Sequence, residues 1–449
     1  MSLPELFTVR MQNLLGEQYP AFLNALGQPP PVSIRLHPLK NHCGFDQCEQ
    51  IPWHPQGRYL PERPVFTLDP AFHGGAYYVQ EASSMFLYEA LRQTLDPEKK
   101  IKVLDICAAP GGKTTLLTSA ISQESFLLAN EVIQSRIPAL RTNVEKWGYP
   151  NVAVSNHDPA DFQALAGFFD LVVVDAPCSG EGLFRKDGAA ISEWSEKNTE
   201  LCAARQRRIL TEAKHLVRPG GVLIYSTCTF NPEENETNVQ WLIETGGFQS
   251  VRLKVEPRWG INEMGTGYQF FPHKIRGEGF FIACLQKISG DEPARSKTGG
   301  LLSWQRLGRK EISILSDWLE TPERFEFFVK PTGDIVAIPV EIVRETGVIA
   351  NTLKKRSVGL IIGSLKNRDF VPSHTLALSN MISSSLPGYE LDLGQALLFL
   401  KKENFQLPDA RKGWALAKYE GLNLGWMKVL ENRVNNYLPN EWRIRMEIG

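Results

Sequence analysis

The sequence predicts an α/β fold built on a mostly parallel sheet with helices on both faces, and three observations predict it. Between about residues 99 and 287, short apolar runs alternate with helical stretches, the pattern of strands joined by crossover helices. The run Val103-Leu104-Asp105-Ile106 leads into a small-residue turn, Cys107-Ala108-Ala109-Pro110-Gly111-Gly112, and then into the helix start Lys113-Thr114-Thr115. Strand, loop and helix follow one another in this way at nucleotide sites. A second apolar run, Phe126–Glu131, ends on an acid about twenty residues after the turn, where a ribose-reading carboxylate stands in such folds.

The elements follow in order. Pro4 to Leu26 has helical apolar spacing (Leu6, Val9, Met11, Leu14, Leu15, Phe22, Leu23, Leu26), and Pro29-Pro30-Pro31 stops it. Ser33–Leu36 reads as a short strand, and Gly74-Gly75 precede a polar stretch that enters a helix running through Ala90. Strands are expected at Lys102–Ile106, Phe126–Glu131, Val152–Ser155, Leu171–Asp175, Val222–Ser226 and Phe280–Leu285, with helices at Arg136–Trp147 and Thr199–Leu216. The composition turns to Ser, Gly and charged residues around 289–300, as in a linker. Residues 301–388 are mixed and show no catalytic constellation. Beyond about 390 a compact unit is expected: a helix at Leu393–Lys402, strands at Trp414–Lys418 and Leu424–Val429, and a turn at Glu420-Gly421.

Composition narrows the function classes. An apolar content of 43% supports packed cores, and no run reaches the length of a membrane span. Glu5, Arg10 and Glu17 stand where a secretory leader would need an apolar stretch, so cytoplasm is the default expectation. Seven cysteines without C-x-x-C spacing favour free thiols over a disulfide framework or a zinc site, and no metal is expected. A net charge of −1 does not advertise a nucleic-acid binder. Basic residues do cluster at Arg205, Arg207, Arg208, Lys214 and Arg218, and at Lys354-Lys355-Arg356, which fits RNA contact and solvated helix faces alike.

In parallel sheets the ligand sits at the carboxyl ends of the strands, and the reactive groups collect there. The turn 107–112 matches neither GxxxxGK[ST] nor GxGxxG. With Glu131 it points to an adenosine-bearing cofactor, although a glycine turn by itself is as consistent with a simple tight turn. Two cysteines end neighbouring strands: Cys178 in Asp175-Ala176-Pro177-Cys178-Ser179-Gly180, and Cys228 in Ser226-Thr227-Cys228-Thr229. Either alone reads more simply as a small buried hydrophobe, but Pro, Ser, Thr and Gly surround both. Asp175 can relay a proton or accept from a substrate amine. Asp158 is placed either to contact a cofactor base or to cap its own loop. His157 and His273 show no local partners for a hydrolytic triad.

Cys107-Ala108-Ala109-Pro110-Gly111-Gly112-Lys113, Asp175-Ala176-Pro177-Cys178-Ser179-Gly180 and Ser226-Thr227-Cys228-Thr229 resemble, in order, the three main signatures of the Nol/Nop/Sun family of S-adenosylmethionine-dependent RNA cytosine-C5 methyltransferases. Gly180-Glu181-Gly182 followed by Arg185-Lys186-Asp187 further resembles the bacterial members that act on small-subunit ribosomal RNA. Tyr78-Val79-Gln80-Glu81 with Ser83-Ser84 resembles the family's entry helix, and the end of the chain resembles a PUA-type RNA-binding fold. One departure is that family members often carry Asn two residues after the Arg of the Ser-Ile-Arg element, where this chain has His37.

The resemblance implies a Rossmann-like methyltransferase core at 96–288, an N-terminal RNA-recognition region at 1–95, an intermediate region at 301–388 and a PUA-like domain at 389–449. It implies Cys228 as nucleophile and Cys178 in product release, with Asp175 and Lys113 assisting. Residues 107–113, Glu131, Asp158 and Asp175 would hold S-adenosyl-L-methionine. The expected partner is RNA, 16S rRNA or the small ribosomal subunit, met by a monomer with no membrane involved. Transfer RNA as substrate, a DNA enzyme using the Pro-Cys thiol alone, and a non-catalytic ribosome-assembly factor are the competing readings.

Overall fold

The computed structural model describes residues 3–40, 42–290, 304–366, 369–408 and 410–447, so most of the expected linker lies outside the described residues. The chain begins with two helices, Glu5–Leu15 and Tyr19–Leu26, where one was expected. Gly16 breaks them apart with φ 53°, and Pro20 suits a first turn but not a helix interior. The buried face is Phe7, Met11, Tyr19, Phe22 and Leu26, while Leu6, Val9 and Leu23 are exposed. A small antiparallel sheet follows, with β1 (Val32–Leu36) between β2 (Gly57–Leu60) and β3 (Tyr77–Val79).

The central sheet is formed first by β4 (Lys102–Asp105), β5 (Phe126–Asn130), β6 (Val152–Ser155), β7 (Phe169–Asp175) and β8 (Val217–Thr227), all parallel. Antiparallel strands β9 (Phe248–Ser250), β10 (Asn262–Met264), β11 (Gly267–Phe270) and β12 (Phe280–Lys287) extend it beyond β8. The chain runs β4, β5, β6 toward one edge and then returns to place β7 on the other side of β4. That reversal opens a crevice above the carboxyl ends of β4 and β7. Helices cover both faces, so these strands are buried over most of their length; Val103 belongs to one core and its neighbour Leu104 to the other. The helix Glu196–Leu216 starts three residues earlier than its apolar pattern suggests, because the Ser195 hydroxyl accepts from Asn198 N.

The region after the linker is joined to this core. Its main sheet has five antiparallel strands between residues 305 and 372. A short strand, Arg356–Ser357, leaves that unit and pairs with β6 at the edge of the central sheet. The helix Val343–Thr352 contributes Val348 and Ile349 to the same core as Val172 of β7. The last unit has four strands between 388 and 436 and the helix Leu393–Lys401, which begins at an Asp392–Gln395 capping box. Its hairpin turn falls at Glu420 (φ 48°) and Gly421 (φ 76°). Leu422 beyond that turn packs with Ile34 and Tyr77, so the two ends of the chain touch.

Candidate active site

The turn after β4 is fixed by its neighbours. Gly111 adopts φ 111°, which a side chain would strain, and opens the helix Gly112–Ala120. Ala108 N donates to Asn130 O at 2.8 Å, Arg136 donates to Ala109 O at 2.6 Å, and Asn143 donates to Pro110 O at 2.8 Å. From the N-terminal sheet the fully buried Arg35 donates to Thr115 Oγ1 at 2.6 Å and to Gly112 O at 3.3 Å. Beneath the turn Asp105 accepts from Thr114 Oγ1 at 2.6 Å, and burial pushes its carboxyl up to about 7. Burial, with Asp105 and Asp175 nearby, likewise holds the Cys107 thiol far above its usual range, so Cys107 is an inert wall residue.

Across the crevice stand the two thiols. Cys178 Sγ and Cys228 Sγ lie 3.1 Å apart, too far for a disulfide, and Cys228 N donates to Cys178 Sγ at 3.3 Å. The Cys228 contact and burial keep Cys178 well above the ordinary thiol range. Lys113 Nζ sits 2.8 Å from Asp175 Oδ2, while Ser226 Oγ donates to Asp175 Oδ1 at 2.8 Å. Burial pulls the Lys113 ammonium down, but Asp175, and the Cys228 sulfur after it, raise it above its usual value. Cys107, Ala109, Glu131, Asp175, Cys178 and Cys228 line one cavity of about 830 Å³. The strand-end placement expected from the sequence therefore brings both cysteines, the acid and the glycine-rich turn to one site.

Three family models match separate stretches of the chain. Residues 3–82 match the N-terminal domain of 16S rRNA methyltransferase RsmF, residues 92–286 match 16S rRNA methyltransferase RsmB/F, and residues 387–444 match the methyltransferase RsmF PUA domain. Ribosomal RNA small subunit methyltransferase F of Vibrio campbellii is 31% identical over 98% of this chain and 97% of its own. The protein of that name from Shewanella loihica is 30% identical, over 94% and 90%. A methyltransferase homolog protein from Pyrococcus horikoshii, solved by crystallography, is 29% identical with a TM-score of 0.55, covering 63% of this chain and 95% of that one. The chain belongs to the RsmB/F family of 16S rRNA methyltransferases.

As a member of the RsmB/F family the protein is an S-adenosylmethionine-dependent rRNA cytosine-C5 methyltransferase, and the cavity fits that cofactor. Glu131 is 2% exposed; its Oε1 accepts from Ile133 N at 2.9 Å, and its Oε2 touches Arg136 at 3.1 Å yet accepts no hydrogen bond. An acceptor left over at the cavity wall suits a ribose hydroxyl. Asp158 is less committed to that role. It caps its own turn by accepting from Ala160 N at 3.1 Å, and both oxygens meet Arg208 Nη1, at 3.0 and 2.9 Å.

Several supporting residues escaped the sequence reading. Glu234, 0% exposed, accepts from Ser179 N and from Gln206 Nε2, at 2.9 and 2.8 Å. Glu181 binds Arg10 at 2.6 Å and Trp194 Nε1 at 2.8 Å, tying the first helix to the Cys178 loop. Glu181 stands in the Gly180-Glu181-Gly182 stretch already singled out, though its partners were not legible there, whereas the sequence signal for Glu234 is only an acid soon after the Cys228 motif. His157 corrects an expectation: it does have a local partner, Asp161 at 3.0 Å, but its other ring nitrogen accepts from Lys355 N, so no nucleophile meets it. His37 replaces the family's usual Asn as a buried brace, with Nε2 2.9 Å from Trp147 O. Of the basic cluster on Glu196–Leu216, Arg205 and Arg208 line the cavity, whereas Arg207 and Lys214 stack on Trp241. Among the described residues no helix is long and apolar enough to cross a membrane.

Proposed function

We propose that methylation proceeds on a cytosine of 16S rRNA with Cys228 as the attacking thiolate and Cys178 as the group that completes release. The observation that carries this reading is the 3.1 Å pair of thiols on the wall of a cavity that Glu131 and, from the glycine-rich turn, Cys107 and Ala109 also line. The attack is given to Cys228 because its Thr227-Cys228-Thr229 motif is the one that resembles the family's nucleophile motif. Cytosine C5 is a weak nucleophile until a thiolate adds at C6. Cys228 Sγ forms that bond, the C5–C6 electron pair shifts to C5, and the nearby Lys113 ammonium stabilises the anion from which the attack starts. Asp175 accepts from the cytosine N4 amino group and is itself held by Lys113 and Ser226.

Residues 107–113, Glu131 and Asp175 would hold S-adenosylmethionine, which would supply an electrophilic methyl group for C5, while Asp158, paired with Arg208, lies outside the cavity lining. Cys178 then yields its proton to solvent and takes the C5 proton. The freed pair restores the C5–C6 double bond, and the C6–S bond breaks. Cys228 leaves as a thiolate beside the Cys178 S–H, which is the starting arrangement. The target base must leave its stack, which is easiest in an unpaired loop of the rRNA or of the assembling subunit. The test is methylation of 16S rRNA from a strain lacking the enzyme, with bisulfite sequencing to locate the product. A protein that loads S-adenosylmethionine but leaves every cytosine unmodified, naked or in small subunits, would overturn the reading.

A further inference from the structure

A second cavity, of about 400 Å³, lies on the other side of the Cys178 loop, between the Pro29-Pro30-Pro31 segment, β3 and the residues Lys186 and Glu278. It falls in the size range of small-ligand pockets, and no step above uses it. Pro30, Pro61 and Val79 give it apolar walls, and Glu278, 3% exposed, lines its depth. Glu278 Oε2 accepts from Arg185 Nε at 3.1 Å, but Oε1 is buried with no hydrogen-bond partner. A buried carboxylate oxygen in that state is an acceptor that a ligand's donor can satisfy. Glu81 beside it is fully engaged, with Oε1 accepting from Ser83 N and Glu278 N and Oε2 from Ser84 N. At the rim Lys186 and Arg63 are exposed and hold no ion pair among the described residues.

The cavity adjoins the reaction centre. Gly182 N donates to Cys228 O at 2.9 Å, and a Cβ on Gly182 would collide with the carbonyls of both Cys228 and Gly279, the residue after Glu278. The Cys228 main chain and the Glu278–Gly279 segment thus both pack on Gly182, which sets the groove next to the chain that carries the Cys228 thiol. We propose that the groove binds a nucleobase flanking the methylated cytosine and selects one that offers an exocyclic amino group to Glu278 Oε1. The proline and valine walls cover the base faces, the planar Arg63 guanidinium can stack on it, and Lys186 can neutralise the adjoining phosphate. Uracil is disfavoured because it turns a carbonyl, not an amine, toward the carboxylate.

This inference rests on the rRNA-methylation reading, and its test separates the two. The modified cytosine is first located on 16S rRNA by bisulfite sequencing. Transcripts carrying each of the four bases at the two positions on either side are then compared. At one position uracil should lower kcat/KM roughly tenfold, the scale of one lost base contact. Glu278→Gln, whose carbonyl can keep the Arg185 contact while its amide donates into the groove, should reverse the preference toward uracil. Pro61→Trp, which narrows the groove from its exposed rim, should lower kcat/KM for every transcript with cofactor affinity unchanged by calorimetry. Flanking substitutions that all fall within twofold, an equal loss for all four bases in Glu278→Gln, or full activity in Pro61→Trp would each overturn the inference. No methylation of the parent transcript by the wild-type protein would remove the activity reading and this one with it.

Discussion

Glu234 accepts from both the main-chain N and the hydroxyl of Ser179, and that hydroxyl lies 2.9 Å from Thr229 Oγ1. One buried carboxylate therefore ties the residue after Cys178 to the residue after Cys228. Burial raises its pKa, against the hydrogen bonds from Ser179 that lower it. Glu234→Ala should cost about 1–3 kcal/mol for each donor left unpaired, visible as a lower midpoint in urea. Glu234→Gln should keep the fold, because Gln can still accept from Ser179, but slow turnover by loosening the spacing of the two thiols. Wild-type kcat in Glu234→Gln would show that the tie does not set that spacing.

The two thiols should fail differently. With substrate RNA and cofactor, Cys178→Ala should accumulate a protein–RNA adduct stable to denaturing electrophoresis, while Cys228→Ala forms none. The reverse pattern would exchange the two roles, and no adduct with either variant would leave Cys178 without a part in release.

Glu131→Ala should weaken S-adenosylmethionine binding by about 2–3 kcal/mol, the scale of charge-assisted hydrogen bonds to a diol. Calorimetry on the folded variant reads this directly, and unchanged affinity would refute the ribose assignment.

Asp105 gives a pH signature. Its folded pKa is raised to about 7 by burial, above the unfolded value of 3.8. The folded protein holds that proton more tightly than the unfolded chain, so this stabilisation is present below the unfolded value and is lost as pH rises through 7. Asp105→Asn, which can still accept from Thr114, should therefore be more stable than wild type at pH 8, and the gap should close toward pH 5. Equal melting-temperature differences at the two pH values would contradict it.

RNA affinity should reside in local basic surface, since the net charge is −1. It should fall steeply with salt, and removal of residues 390–449 should weaken RNA binding while leaving cofactor affinity intact. Unchanged KM for RNA in a soluble truncated protein would exclude the last unit as a recognition module.

The sequence by itself determined the alternation that builds the parallel sheet, because strands buried on both faces must be written as apolar runs, and Val152–Ser155 stands where it was expected. It also placed Asp175, Cys178 and Cys228 at strand ends, since the motifs follow their strands directly. What the linear chain could not state was the order of the strands. Only the return of β7 to the far side of β4 sets Asp175 against Lys113, and only the parallel pairing of β7 with β8 brings two cysteines fifty residues apart in sequence to 3.1 Å. Nor could it show that Arg35 braces the cofactor turn, that Glu234 holds Ser179 after Cys178, or that Arg356–Ser357 joins the central sheet. Local pattern encodes which face of an element is apolar; contacts between distant segments depend on how those faces pack, and a lone Arg or Glu carries no periodicity that announces its partner.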